Sequence, residues 1–222
     1  MEFTEKNPKY FYELNEFKQL YILEDSYKVI LNELLSVTKN IKDKNWFAAF
    51  PSYVVSKNEN TWKTLNFIFF GIKNPVTCSL CPETFKILNK IPGLITTEFS
   101  YLPGNTKIKP HKGFSKMVLR VHLGLIIPKD CGIRVGNETK IWEEGKLFVF
   151  DDSFEHEAWN NSKEDRFILM LDIVNPLWEY TAQEICKFKI ENLNDEFMLS
   201  LYSKEQWMEF YNKGEFTAFP IK

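Results

Sequence analysis

The chain has 222 residues, 44% of them apolar and 16% aromatic, enough to bury one sizeable core and too apolar for a disordered chain. Its 28 basic and 30 acidic side chains leave a formal net charge of -2, with no block of one sign and no basic stripe interleaved with aromatics, which argues against nucleic acid as a partner. The opening Met1-Glu2-Phe3-Thr4-Glu5-Lys6 is charged where a signal peptide is apolar, and no stretch approaches the roughly 18 apolar residues of a membrane span. The expectation is a cytoplasmic protein.

Taken in chain order, residues 1–60 are expected to be helical support for a sheet. Apolar residues from Asn7 to Thr38 follow helical spacing, most clearly Tyr27, Ile30, Leu31, Leu34 and Leu35, behind the candidate caps Asp25 and Ser26. Cys78-Ser79-Leu80-Cys81 has the spacing of half a zinc site or a redox dithiol, but no second pair accompanies it. Two semi-buried thiols ahead of a helix that starts at Pro82 are expected instead. From Thr61 to Ile173 the chain changes to short runs rich in Val, Ile, Phe and Thr, separated by turns such as Pro103-Gly104-Asn105 and Gly136-Asn137. That pattern predicts an antiparallel sandwich or jelly roll over 61–176. Helical spacing returns after Pro176, so 177–222 are expected to form a helical cap on the same single domain.

Alternate side chains of a strand point to opposite faces. On the strand predicted from Val118 to Ile127, Leu119, Val121, Leu123 and Leu125 share one face, whereas Val118, Arg120, His122 and Gly124 share the other. A guanidinium and an imidazole thus enter an enclosed space, where charge needs a partner that an anionic ligand would supply. Arg166, at the head of Arg166-Phe167-Ile168-Leu169-Met170-Leu171-Asp172, lies on one face with Ile168 and Met170. Its plain alternative is an ion pair with Asp165 or Glu164.

Only three histidines occur, His111, His122 and His156. His111 follows a turn in Ile108-Lys109-Pro110-His111-Lys112-Gly113, and His156 opens a returning strand after Phe150-Asp151-Asp152-Ser153-Phe154-Glu155. Two histidines about 45 positions apart in a β-sandwich can converge on one metal, although imidazole suits iron, zinc, copper or nickel equally. Asp151, Asp152, Glu155 and Glu157 could ligate the metal or orient the histidines, but most of them are expected to be turn or surface residues.

These runs together, His111-Lys112-Gly113, Leu119 through Leu125, Trp142-Glu143-Glu144-Gly145-Lys146, Phe150 through Glu157 and Arg166, with Cys81-Pro82-Glu83-Thr84 and Ile91-Pro92-Gly93 upstream, resemble the aspartyl/asparaginyl β-hydroxylase family. The resemblance implies a mainly β, cupin-like double-stranded β-helix and a hydroxylase that uses Fe(II), 2-oxoglutarate and O2. It implies that His111 and His156 ligate iron, that Gly113 leaves the usual third-ligand position to water, and that Arg166, assisted by Ser100 and with His122 alongside, binds the cosubstrate. Arg120 matches the arginine that meets the substrate's acidic or amide side chain. Val118 departs from the second arginine that peptide-acting members often carry, which weakens the leading substrate reading of an Asp or Asn residue in a peptide. An amino acid or a lipid acyl chain is the further possibility. A non-catalytic cupin-like module for an acidic small molecule, a zinc hydrolase using Glu155 or Glu157, and a halogenase with chloride at the vacated position are the other readings.

Overall fold

The structure, a computed structural model, describes residues 9–39, 46–56 and 61–216. The strand β1 (Phe11–Tyr12) precedes a 3-10 segment, Leu14–Leu20, and the helices α1 (Tyr21–Asp25) and α2 (Tyr27–Thr38). Next come β2 (Phe47–Ala48), β3 (Val54–Ser56), β4 (Lys63–Phe69), β5 (Ile72–Lys73), α3 (Pro75–Leu80) and α4 (Pro82–Leu88). The strands β6 (Leu94–Leu102), β7 (Thr106–His111), β8 (Val118–Ile126), β9 (Cys131–Val135), β10 (Glu138–Ile141), β11 (Leu147–Phe150), β12 (His156–Asn160) and β13 (Arg166–Val174) follow. Three helices end the chain, α5 (Ala182–Glu191), α6 (Glu196–Leu201) and α7 (Lys204–Lys213).

The strands form two antiparallel sheets. The larger runs β1-β11-β8-β13-β6-β4-β2, with β5 on β4, and the smaller runs β10-β9-β12-β7-β3. Leu102, Ile168 and Met170 of the larger sheet pack with Ile108, Ile133, Val135 and Ala158 of the smaller in one buried cluster. This is the mainly β, cupin-like double-stranded β-helix. The other face of the larger sheet carries Phe99, Leu119, Val121, Leu123, Leu169 and Leu171 against Leu23, Ile30, Leu34 and Leu88 of the helices. The period-two alternation of β8 and β13 therefore divides two apolar layers, and each strand is buried on both faces.

The amino-terminal segment is less helical than its spacing suggests, because β1, β2 and β3 add to sheet edges within it. In α2, Ile30 and Leu34 are buried whereas Leu35 is 44% exposed, since one further step of about 100° turns it off the inner stripe. Ser26 stands at the N-cap position without a side-chain capping bond. The helices of 177–216 have firmer starts: Thr181 with Glu184 and Ser203 with Gln206 form capping boxes at α5 and α7. They bury Ile185, Ile190, Met198, Trp207 and Phe210 with Phe70, Ile95 and Val118 at one end of the sandwich.

Candidate active site

Sheet register assembles the site. His111 and His156 are cross-strand partners at the ends of β7 and β12, so a separation along the chain becomes direct adjacency, and their ring centroids lie 4.2 Å apart. Opposite them, three adjacent strands of the larger sheet turn polar side chains inward. Ser100 pairs with Ile168 and Glu98 with Met170 across β6 and β13. His122 pairs with Met170 and Arg120 with Asp172 across β8 and β13. The smaller sheet thus supplies the two imidazoles, and the larger sheet supplies the charged floor.

Both imidazoles hold the same tautomer. His111 Nδ1 lies 2.8 Å from the Lys109 carbonyl oxygen, and His156 Nδ1 lies 3.0 Å from that of Phe154. A carbonyl only accepts, so each Nδ1 carries the hydrogen and each Nε2 keeps a lone pair. Burial lowers the pKa of both rings, that of His156 to about 3 with a contribution from His111 and Arg120, so both are neutral near pH 7. The ring of Tyr53 stacks on His111 at 4.8 Å. Among the described residues no group of three or more His, Cys, Asp or Glu side chains is placed to hold a metal, and the two histidines are the donor pair the site offers.

Arg166 does not take the ion pair that its neighbours Glu164 and Asp165 suggest. Its side chain is 2% exposed, its Nε lacks a hydrogen-bond partner, and no salt bridge holds it among the described residues. The guanidinium lies 4.9 Å over the ring of Trp142, and burial pulls its pKa down to about 10. Trp142 also donates Nε1–H to His122 Nδ1 at 3.3 Å, which places the His122 hydrogen on Nε2, and that buried atom has no partner. Ser100 Oγ accepts from Trp62 Nε1 at 2.9 Å, leaving its O–H free to turn. A small cavity lined by these groups and by His111 and His156 therefore presents three unused donors to a buried anion.

Arg120 is arranged differently from the sequence expectation. Its Nε and Nη2 donate to Asp172 at 2.8 and 3.1 Å, and Nη2 also lies 3.0 Å from Asp152. Burial works against its charge, but Asp152 and Asp172 outweigh that and hold the pKa above the ordinary arginine value. The protein itself thus supplies the anion that enclosure of Arg120 demanded. Glu98, linked to Asn66, is pushed by burial up to about 8, and Asp152 to about 7.

Asp152 also explains Gly113. A Cβ at residue 113 would lie 2.1 Å from Asp152 Oδ2, and Gly113 N–H donates to the Asp152 carbonyl at 2.7 Å. No side chain fits there while Asp152 is in place. Asp152 lies in a turn as expected, but the turn is buried: Asp151 and Asp152 are 6% and 1% exposed. Glu155 and Glu157 do lie outside, both bound to Arg134, which removes them as a general base beside the histidines. Burial raises the Cys78 and Cys81 thiols to about 11 and about 12, so neither is a thiolate near pH 7.

Fold and site define a class: a cupin-like double-stranded β-helix with a two-histidine centre facing a buried arginine. The sequence profile of the aspartyl/asparaginyl β-hydroxylase family matches residues 24–176, and the chain belongs to that family. It is 38% identical over 159 residues to an ornithine lipid ester-linked acyl 2-hydroxylase of Rhizobium tropici, covering 70% of this chain and 57% of that protein. It is 37% identical over 168 residues to the human aspartyl/asparaginyl beta-hydroxylase, covering 73% of this chain and 21% of the human protein. Among solved structures, a Pseudomonas putida prolyl-4-hydroxylase aligns over 71% of this chain and 99% of its own at 13% identity and a TM-score of 0.45. The described part of the chain has no helix long and apolar enough to cross a membrane.

Proposed function

We propose that this chain is an Fe(II)- and 2-oxoglutarate-dependent hydroxylase. The observation that carries the reading is the pairing of two Nε2-presenting histidines with a buried arginine that has no ion pair among the described residues. His111 and His156 would hold the iron. Arg166 would take the distal carboxylate of 2-oxoglutarate in a two-pronged bond, with the Ser100 hydroxyl and His122 Nε2–H as further donors. Iron and cosubstrate, when bound, supply the oxidising power: O2 is reduced as 2-oxoglutarate is decarboxylated to succinate, and one oxygen atom enters a substrate C–H bond. The chain's own residues bind, orient and exclude water. The Asp152–Arg120–Asp172 cluster fixes the floor beside the histidines, and the aromatic rings around it keep the chamber dry.

An Asp or Asn residue of a peptide is one substrate reading, with Arg120 as its recognition group. A second reading, an acyl chain, is favoured by an observation. Arg120 is already held by two carboxylates, and the outer pocket of about 290 Å³ that leads to His111 is walled by Phe50, Tyr53, Phe69, Phe70, Phe114 and Met198. Such a wall suits a long apolar group better than a short polar one. Iron-loaded protein supplied with 2-oxoglutarate, air and candidate substrates of both types tests the function. Succinate above the level of a His111→Ala control is expected, and its absence with every substrate would overturn the reading.

A further inference from the structure

The outer pocket has a charge pattern as well as an apolar wall. In its lining, Asp152 and Asp172 hold the guanidinium of Arg120. Lys189 of α5 belongs to the same lining, with a side chain 11% exposed. The Lys189 ammonium lies 4.6 Å from the Phe114 ring centroid and 5.5 Å from that of Phe70. Aromatic faces hold a cation without neutralising it. Its nearest carboxylate is Asp195 Oδ2 at 4.0 Å, the outer limit of an ion pair, while Asp195 Oδ1 caps α6 by accepting from Met198 N–H at 3.0 Å. The other lysine of the pocket lining, Lys112, is exposed.

This element lies beyond residues 24–176, which the family profile matches, so part of the pocket lining, Lys189 to Met198, comes from a part of the chain that the shared pattern does not describe. It is tied to the wall all the same: Phe197 of α6 packs on Phe50 at 4.5 Å, and Phe50 stacks on Tyr53 beside His111.

We infer that Lys189 is a specificity-determining residue, whose ammonium binds the anionic group of an amphiphilic substrate while the apolar chain runs inward along the aromatic wall toward His111. Arg120 is already held by Asp152 and Asp172, which leaves Lys189 as the partly buried cation of the lining that can take the anionic end. The inference rests on the acyl-chain reading and adds to it the group that recognises the head. A carboxylate and a phosphate share the chemistry required.

Isothermal titration calorimetry of the full chain, with and without Fe(II) under anaerobic conditions, tests it with decanoate, decyl phosphate, neutral decanol and decyltrimethylammonium. Decanoate, decyl phosphate or both are expected to bind about tenfold or more tighter than decanol, and the tighter of the two identifies the head group. Lys189→Gln is expected to lose about that tenfold for the anionic probes and to leave decanol unchanged, and Lys189→Arg to stay within roughly threefold of the wild type. Unchanged binding of the anionic probes by Lys189→Gln would overturn the inference. So would equal binding of decanol, or binding of an Asp-containing peptide by a chain that ignores both anionic probes. Succinate formation is not read in this experiment, so failure of Lys189 as an anchor is distinguishable from failure of the oxygenase reading.

Discussion

Replacing Arg166 by Met should stabilise the ligand-free protein while removing its response to 2-oxoglutarate. The guanidinium is buried without an ion pair among the described residues, and burial lowers its pKa to about 10. A cation whose folded-state pKa lies below its unfolded value destabilises the fold wherever both states are charged. The cost is complete below about pH 10 and disappears only above the unfolded value. Measured from the ordinary arginine value, that fall corresponds to about 3 kcal/mol at neutral pH. The Trp142 contact offsets about 1 kcal/mol of this, and Met fills much of the same apolar volume. A net gain of about 2 kcal/mol remains, or roughly 4–8 °C in melting temperature for a chain of this size. Differential scanning calorimetry at pH 7, with and without 2-oxoglutarate, reads both effects. The wild type should melt higher with the ligand, and Arg166→Met should melt higher without it and show no further rise. A variant that melts at or below the ligand-free wild type would refute the stability reasoning, and an undiminished ligand shift would refute the role of Arg166.

Gly113→Asp, which restores the carboxylate of the general facial triad, should lower stability by about 1–3 kcal/mol because its Cβ meets Asp152; chemical denaturation measures this, and a neutral effect would show that Asp152 moves aside freely. Glu98 keeps its proton up to about pH 8 in the fold, whereas the unfolded carboxyl loses it near 4.5. Stability is therefore lost as pH rises from about 4.5 to about 8, and Glu98→Gln should flatten that part of a melting-temperature profile. Trp142→Phe removes the hydrogen bond to His122 and weakens the contact over Arg166. Its affinity for 2-oxoglutarate, measured by calorimetry, should fall about tenfold with little change in the fold.

What the sequence made legible was whatever a local period carries. The alternation in Val118–Ile126 separates Leu119, Val121, Leu123 and Leu125 from Arg120 and His122, and the structure places the two sets on opposite faces. The position of Arg166 on the face of Ile168 and Met170 was readable in the same way. What remained hidden depends on register between distant strands. That Asp172 stands opposite Arg120 follows from the β8–β13 alignment, and no spacing along the chain reveals it. Asp152 looked like a turn residue because its sequence neighbours are polar, but the turn folds inward beneath Gly113. Strand β1 is two residues long, too short to show a period against the helical pattern around it. Lys189 sits in an amphipathic helix whose exposed face is rich in charge, and only the approach of Phe70 and Phe114 from earlier turns marks it out.

The central claim is that His111 and His156 hold an iron to which 2-oxoglutarate binds under the control of Arg166. An anaerobic titration of Fe(II) into the full chain, followed by 2-oxoglutarate and monitored by visible absorption, tests it most directly. The wild type should retain one iron per chain and develop a charge-transfer band when the cosubstrate is added, while a His111→Ala, His156→Ala double variant should show neither. An equal band in the double variant, or no iron retained by the wild type, would contradict the account.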